Sequence, residues 1–266
     1  MAGKQKHKSK RPGGPRGGSD KRGPASALWL YGRHAVAAAI RNENRPLRRV
    51  IATKMALEWL KAEKISEDIL SKISVSSAPE IDQVLQKGAV HQGIAAQVDA
   101  LPKAQFRDIC DNASPSQPVV ILDQITDPRN IGAIFRSAAA FGARAIIVQE
   151  RRTPPLDGAL AKAAAGAIET LPCINVVNIA RTVDALKDLG YHCAGLAGEA
   201  SAPIRNLPRD EPIALVMGAE GDGLRKLVGE TCDSLYHIPI APGVESLNVS
   251  NAAAIALYET LSSTST

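Results

Sequence analysis

With 266 residues, 45% of them hydrophobic and 22% charged, the chain is long enough for two domains with real cores, which excludes a disulfide-stapled miniprotein. No uninterrupted apolar run approaches the ~18–20 residues that cross a bilayer, so no membrane partner is expected. Lys and Arg number 32 against 27 Asp and Glu, a formal charge of +5, yet residues 1–24 alone hold +7 and the remainder is −2. The excess charge therefore belongs to one arm suited to a polyanion, while the body must recognise its partner by local geometry.

That arm, MAGKQKHKSKRPGGPRGGSDKRGP, has almost no apolar side chain with which to offset the entropy of ordering, and it predicts a disordered basic tail. A solubilising tail and an RNA tether both fit its composition. Cys110, Cys173, Cys193 and Cys232 are widely separated, with no C-x-x-C pair and no Cys/His spacing suited to zinc. Reduced buried thiols and the lack of a signal-peptide core point to a cytoplasmic protein that uses no metal.

Residues 25–99 predict a compact α/β domain: a helix over 33–41, a strand over 49–52, helices near 56–64 and 79–86, and a closing strand over 93–98. Residues 100–117 begin with a short helical pattern and end in Ser and Pro, the composition of a linker. From residue 118 to 266 strands and helices alternate. Strands are expected at 119–122, 145–148, 174–177, 192–196, 213–217 and 235–238, with helices at 131–141, 179–189, 224–230 and 247–261. Continuous β-branched runs such as Val119-Val120-Ile121-Leu122 suit a parallel sheet buried on both faces, so the pattern reads as doubly wound α/β.

Three stretches of this second domain carry polar residues and glycines at predicted strand ends, where open parallel sheets place ligands. In the first, 123–136, Asp127-Pro128 turns the chain and Asn130 is placed as a helix cap. Arg136, four residues after Gly132 on a small-residue face, suits either an exposed surface charge or a fork aimed at a phosphate. The second, Val216-Met217-Gly218-Ala219-Glu220-Gly221-Asp222-Gly223-Leu224, is neither G-x-G-x-x-G nor a P-loop. Its carboxylates repel a phosphate but tolerate a sulfonium; a tight turn explains the glycines equally well. In the third, 238–252, Ser246 serves as an N-cap, but Asn248, Ser250 and Asn251 exceed what capping needs and suggest a polar site.

Jointly these stretches resemble the three motifs of the SpoU family within the SPOUT superfamily of RNA methyltransferases: N-x-G-A-I-x-R, V-M-G-A-E-G-x-G-L and I-P-I-x-P-G-V-x-S-L-N-V-S-N-A, spanning residues 118–262. Residues 25–99 are similar to the ribosomal-protein-like RNA-binding domain of that family, through Leu30-Tyr31-Gly32-Arg33-His34-Ala35-Val36 and His91-Gln92-Gly93-Ile94-Ala95. The resemblance implies a C-terminal trefoil knot, a homodimer, and S-adenosylmethionine as donor to a ribose 2′-hydroxyl of RNA, with a guanosine of 23S rRNA as the expected target. A tRNA ribose methyltransferase and a non-catalytic ribosome-assembly protein are the alternatives.

By the same resemblance, Gly218, Ile238 and Leu247 match backbone positions that hold the cofactor, and Asn130, Arg136, Glu220, Ser246 and Asn248 match catalytic positions. The general-base role proposed for Arg136 in this family strains acid–base chemistry, because a guanidinium stays protonated. A phosphate clamp beside the developing alkoxide fits better, with the proton leaving through Ser246, Glu220 or water. With only 3% aromatics, a stacking platform for single-stranded RNA is not expected, and binding rests on phosphate and 2′-hydroxyl contacts. Arg33, Arg45, Arg48 and Arg49 are the candidate RNA ligands, each equally compatible with a solvated surface charge. His34 and His91 suit either a marker role or a structural hydrogen bond.

Overall fold

The computed structural model describes residues 28–261; the basic arm lies outside the described residues. In chain order the first domain comprises β1 (Leu28–Tyr31), α1 (Arg33–Arg41), β2 (Leu47–Ala52), α2 (Lys54–Ala62), α3 (Glu67–Leu70), β3 (Ser74–Val75), α4 (Ala78–Val84) and β4 (Ile94–Val98). Its strands line up β1-β4-β2-β3, antiparallel except for the β2–β3 pair. Thr53 caps α2 by accepting from the Ala56 N–H, and Ser77 with Glu80 forms a capping box on α4. The short helix expected in residues 100–117 is α5 (Phe106–Cys110), which seats Cys110 wholly inside the core beside Ile109.

The second domain follows with β5 (Val119–Leu122), α6 (Pro128–Ala140), β6 (Ala145–Gln149), α7 (Gly158–Ala164), β7 (Cys173–Val176), α8 (Ile179–Asp188), β8 (His192–Leu196), β9 (Ala202–Pro203), β10 (Ile213–Met217), α9 (Lys226–Thr231), β11 (Ser234–His237) and α10 (Val249–Leu261). Seven parallel strands form one sheet in the order β7-β6-β5-β10-β8-β11-β9. Every residue of β5 and β10 is buried, as a sheet covered on both faces requires. Ile131, Ile134, Leu160, Ala253 and Leu257 belong to the core on one face of the sheet, and Cys110, Val183, Leu186 and Val228 to the core on the other.

Two helix starts differ from expectation. Helix α6 begins three residues earlier, capped by Asp127, whose Oδ1 accepts the Arg129 N–H at 2.8 Å; Asn130 is thereby inside the helix and free for other work. Ser246 does not cap the last helix, which starts at Val249; Asn248 immediately precedes it and its Oδ1 accepts the Ser250 N–H at 3.0 Å. Residues 244–248 form a loop that follows the turn at Gly243, so Ser246 and Asn248 precede the helix while Ser250 and Asn251 lie in its first turn. Gly142 does adopt the left-handed conformation, with φ 68°, that stops α6.

The two domains share an intimate junction. A Cβ on Gly166 would lie 2.6 Å from the Ala38 Cβ, so α1 approaches the 166 turn as closely as backbone allows. Asn42 donates from Nδ2 to the Glu169 carbonyl at 3.2 Å and to its carboxylate at 2.9 Å. Arg45, expected as an RNA ligand, is only 2% exposed and pairs with Glu169 at 3.3 Å across this junction. It is a structural cation, because its guanidinium is sealed from any external phosphate. Burial pulls the Arg45 pKa down and pushes that of Glu169 up, while their mutual attraction opposes both shifts.

Candidate active site

Strand order reverses direction between β5 and β10: β6 and β7 build outward on one side, and β8, β11 and β9 on the other. Such a switch point leaves a crevice at the carboxyl ends of the strands, since the connections on either side diverge. Asn130 enters it from α6 after β5, Glu220 from the loop after β10, and Asn248 from the segment between β11 and α10.

There the three side chains meet. Glu220 Oε1 accepts from Asn248 Nδ2 at 2.6 Å, from Asn130 Nδ2 at 3.1 Å and from the Val249 N–H at 3.3 Å. Asn248 Nδ2 also donates to Asn130 Oδ1 at 3.0 Å. Because Asn248 Oδ1 is taken by the Ser250 N–H and hydroxyl, its amide has one orientation that satisfies the network. The cluster is exposed, so its remaining lone pairs and N–H groups are available to a ligand.

The glycine-rich loop is a tight turn built to present Glu220. Ala219 and Gly223 exchange backbone hydrogen bonds at 3.1 and 3.0 Å, with Gly221 and Gly223 at φ 84° and 65°. Gly218 has no room for a side chain, since a Cβ would stand 2.2 Å from the Gly223 carbonyl carbon. Beneath this loop lies a pair that sequence reasoning missed. Asp123, with no solvent exposure, accepts from Arg225 Nε at 2.9 Å and from the Arg225 backbone N–H at 3.2 Å. A charged residue directly after the buried run of β5 was the available signal.

Arg136 and Ser246 are not brought to the cluster. Both are exposed. Arg136 lies six residues beyond Asn130 on α6, about 9 Å along the axis and roughly a third of a turn away. The close packing expected around Gly132 is present: a Cβ there would lie 2.4 Å from the Leu160 carbonyl of α7.

Residues matched to cofactor binding adjoin the cluster in the chain: Gly218 opens the glycine turn, Ile238 follows β11 and Leu247 precedes Asn248. Ile238 packs partly against the core, Leu247 is half-buried, and between them Ile240 and Val244 are 39% and 51% exposed. Apolar side chains, a carboxylate and a backbone-lined glycine turn are the chemistry that suits the adenosine body and the cationic sulfur of S-adenosylmethionine. Gly218, Ile238 and Leu247 would hold it.

The sequence pattern of the SpoU rRNA Methylase family matches residues 117–258, over half the chain, and that of RNA 2′-O ribose methyltransferase substrate binding matches residues 29–104. The chain belongs to the SpoU rRNA methylase family. It is 40% identical to the 23S rRNA (guanosine-2′-O-)-methyltransferase RlmB of Vibrio parahaemolyticus over 87% of this chain and 95% of that one. A Staphylococcus aureus protein assigned to the TrmH family of tRNA/rRNA methyltransferases is 36% identical over 86% and 94%. Among solved structures, the SpoU methyltransferase AviRb of Streptomyces viridochromogenes, in complex with AdoMet, superposes with a TM-score of 0.72 at 24% identity, covering 90% of each chain. An AdoMet-bound rRNA methyltransferase of Sinorhizobium meliloti gives 0.71 at 21% identity, over 90% of this chain and 88% of that one. Mixed α/β architecture, a large parallel sheet and the N-terminal α/β domain are thus those of SpoU methyltransferases.

Proposed function

We propose that this SpoU protein transfers the methyl group of S-adenosylmethionine to the 2′-hydroxyl of a guanosine in 23S rRNA, as a cytoplasmic homodimer. The observation that carries the reading is the convergence of Asn130, Glu220 and Asn248 at the β5/β10 switch point, supported by the guanosine 2′-O-methyltransferase relatives. When bound, the cofactor supplies a methyl already activated by its sulfonium charge. The chain has to align the attacking oxygen and manage its proton.

Glu220 offers the negative charge that faces a sulfonium at low cost, and the two asparagine amides fix the carboxylate's direction. Arg136 acts as a clamp on the phosphate next to the target ribose, and Ser246 or Glu220 receives the departing proton. A second copy of the chain would complete this division of labour. Helix α10 is apolar on its outer side, with Ile255 38% and Tyr258 59% exposed and Phe141 of α6 edge-on to Tyr258 at 6.1 Å. Two such surfaces covering one another would bring the unpaired Arg136 of one subunit toward its neighbour.

For RNA recognition, Arg33 and Arg49 stay in place. Arg33 lies over the Trp59 ring at 5.6 Å, Arg49 is exposed, and Arg48 shares its charge with Asp99. His91 has the structural job: its Nδ1 accepts the Gly93 N–H at 3.0 Å.

Mass-spectrometric mapping of ribose methylation in rRNA and tRNA, from cells with and without the gene, tests the assignment. Loss of one 2′-O-methylguanosine in 23S rRNA is expected; loss confined to a tRNA nucleoside would sink the rRNA reading. Asn130→Ala and Arg136→Ala are each expected to abolish turnover while calorimetry still registers cofactor binding.

A further inference from the structure

We propose that Arg129, Arg151, Arg152 and Lys162 form a cationic seam across the domain junction that holds the RNA backbone between the substrate-binding domain and the methyl-transfer cluster. The inference rests on the methyltransferase reading and adds to it a route for the strand, which the N-terminal arginines alone do not supply.

Topology puts these residues together. Strands β5 and β6 are parallel neighbours with Leu122 opposite Val148, so the chain leaving β6 emerges beside the chain that leads into α6. Arg129 occupies the first turn of α6, next to Asn130, and Arg151 and Arg152 follow the end of β6 by two and three residues. The same β6–α7 connection then reaches the other domain: a Cβ on Gly158 would be 3.8 Å from Tyr31 Cε1 at the end of β1. Lys162, on α7, lays its stem over Gly32, where a Cβ would meet its Cγ at 3.2 Å. Burial and the nearby Asp157 raise the Tyr31 pKa and Arg129 lowers it, in keeping with both charges flanking that ring.

No carboxylate of the described residues pairs with these cations. Arg129, Arg151 and Arg152 are exposed, Lys162 is half-buried, and none makes a salt bridge among the described residues. Two nearby carboxylates are otherwise engaged: Asp127 caps α6 and Glu150 reaches Lys103 at 3.9 Å. By contrast Arg41, Arg48, Lys61 and Lys72 on the first domain each hold a carboxylate. Unpaired guanidinium groups in a row, ending beside the catalytic cluster, are what a sugar–phosphate backbone recognises.

The test is binding of a 23S rRNA transcript to the full chain and to the Arg151→Gln/Arg152→Gln variant across a salt series, with Lys72→Gln as a distant control. Cofactor calorimetry and thermal unfolding check that the double variant is folded. The proposal expects weaker RNA binding and a shallower dependence of log affinity on log salt, by about 0.7 for each single-strand phosphate contact removed. Lys72→Gln should keep the parental slope. Equal slopes and affinities in the double variant and the parent overturn the seam, as does an equal loss in Lys72→Gln. A parent that binds RNA but methylates none would instead overturn the function, leaving the seam to be judged by the salt slopes.

Discussion

The carboxylate of Asp123, withdrawn from solvent at the end of β5, grips Arg225 through its guanidinium and its backbone N–H at once, while Asp123's own N–H donates to the Met217 carbonyl at 2.8 Å. Both ends of the Glu220 loop are thereby riveted to β5. Arg225→Ala leaves that buried charge with little compensation, and a loss of about 3–5 kcal/mol in unfolding free energy is expected from urea titration. Arg48→Ala, whose side chain and partner Asp99 are 48% and 34% exposed, should lose no more than about 1 kcal/mol. Similar losses in both would show that the Asp123 pair is not the anchor.

At the cluster itself, charge and geometry can be separated. Glu220→Gln keeps an Oε1 acceptor for Asn130 and Asn248, whereas Glu220→Ala removes it. Single-turnover methyl transfer should fall about 10²–10³-fold in Glu220→Ala, the range seen when one preorganised electrostatic partner is lost. A smaller fall is expected in Glu220→Gln, which isolates the carboxylate's charge. Parental turnover in both variants would remove Glu220 from the reaction. Thermal stability should hardly change, because the side chain is exposed.

Much of this fold was readable from periodicity, because strands such as 192–196 and 213–217 are bounded by glycine or proline and buried on both faces. Polar residues that gather at one point were readable as motifs, and Asn130, Glu220 and Asn248 do gather. Burial of single charges was not. Arg45 and Arg49 sit four residues apart in the same basic stretch, yet one is sealed against Glu169 and the other faces water. Only the packing of the second domain onto the first decides between them, and that contact spans more than 120 residues of chain. Helix starts shifted for a local reason: Asp127 and Asn130 are both good caps, and Pro128 at the first helical position favours the earlier one.

Gly218→Ala tests whether the turn is as tight as its geometry implies. A methyl group would lie 2.2–2.3 Å from the backbone of Gly223 and Leu224, atoms that cannot rotate aside. Stability should drop by about 1–3 kcal/mol or more, with cofactor binding lost as the loop opens. Gly221→Ala meets no atom within 4 Å and strains only φ, so it should cost about 1 kcal/mol and retain binding. If calorimetry shows both variants binding the cofactor like the parent, the loop is not part of that site.

The four thiols make the protein sensitive to alkali. Burial pushes Cys110 up to about 11, opposed by Arg144, and Cys173 up to about 12. Burial together with Asp233 raises Cys232 to about 12 and pushes Cys193 up as well. Each folded value exceeds the ordinary thiol value of 9.0, so above that pH the unfolded chain releases protons that the folded chain retains. The stabilisation these groups contribute is complete below pH 9 and is lost as pH climbs from there toward the folded values. Urea midpoints should accordingly be flat in this respect up to about pH 9 and decline above it, and replacing Cys173 by Ser should flatten the decline. Iodoacetamide at neutral pH should leave the fully buried Cys110 and Cys193 unlabelled until the chain unfolds, because the thiolate is the reactive form and burial withholds it. Rapid labelling of Cys110 or Cys193 in the native protein would place that thiol in an open, polar setting, which the complete burial of both contradicts.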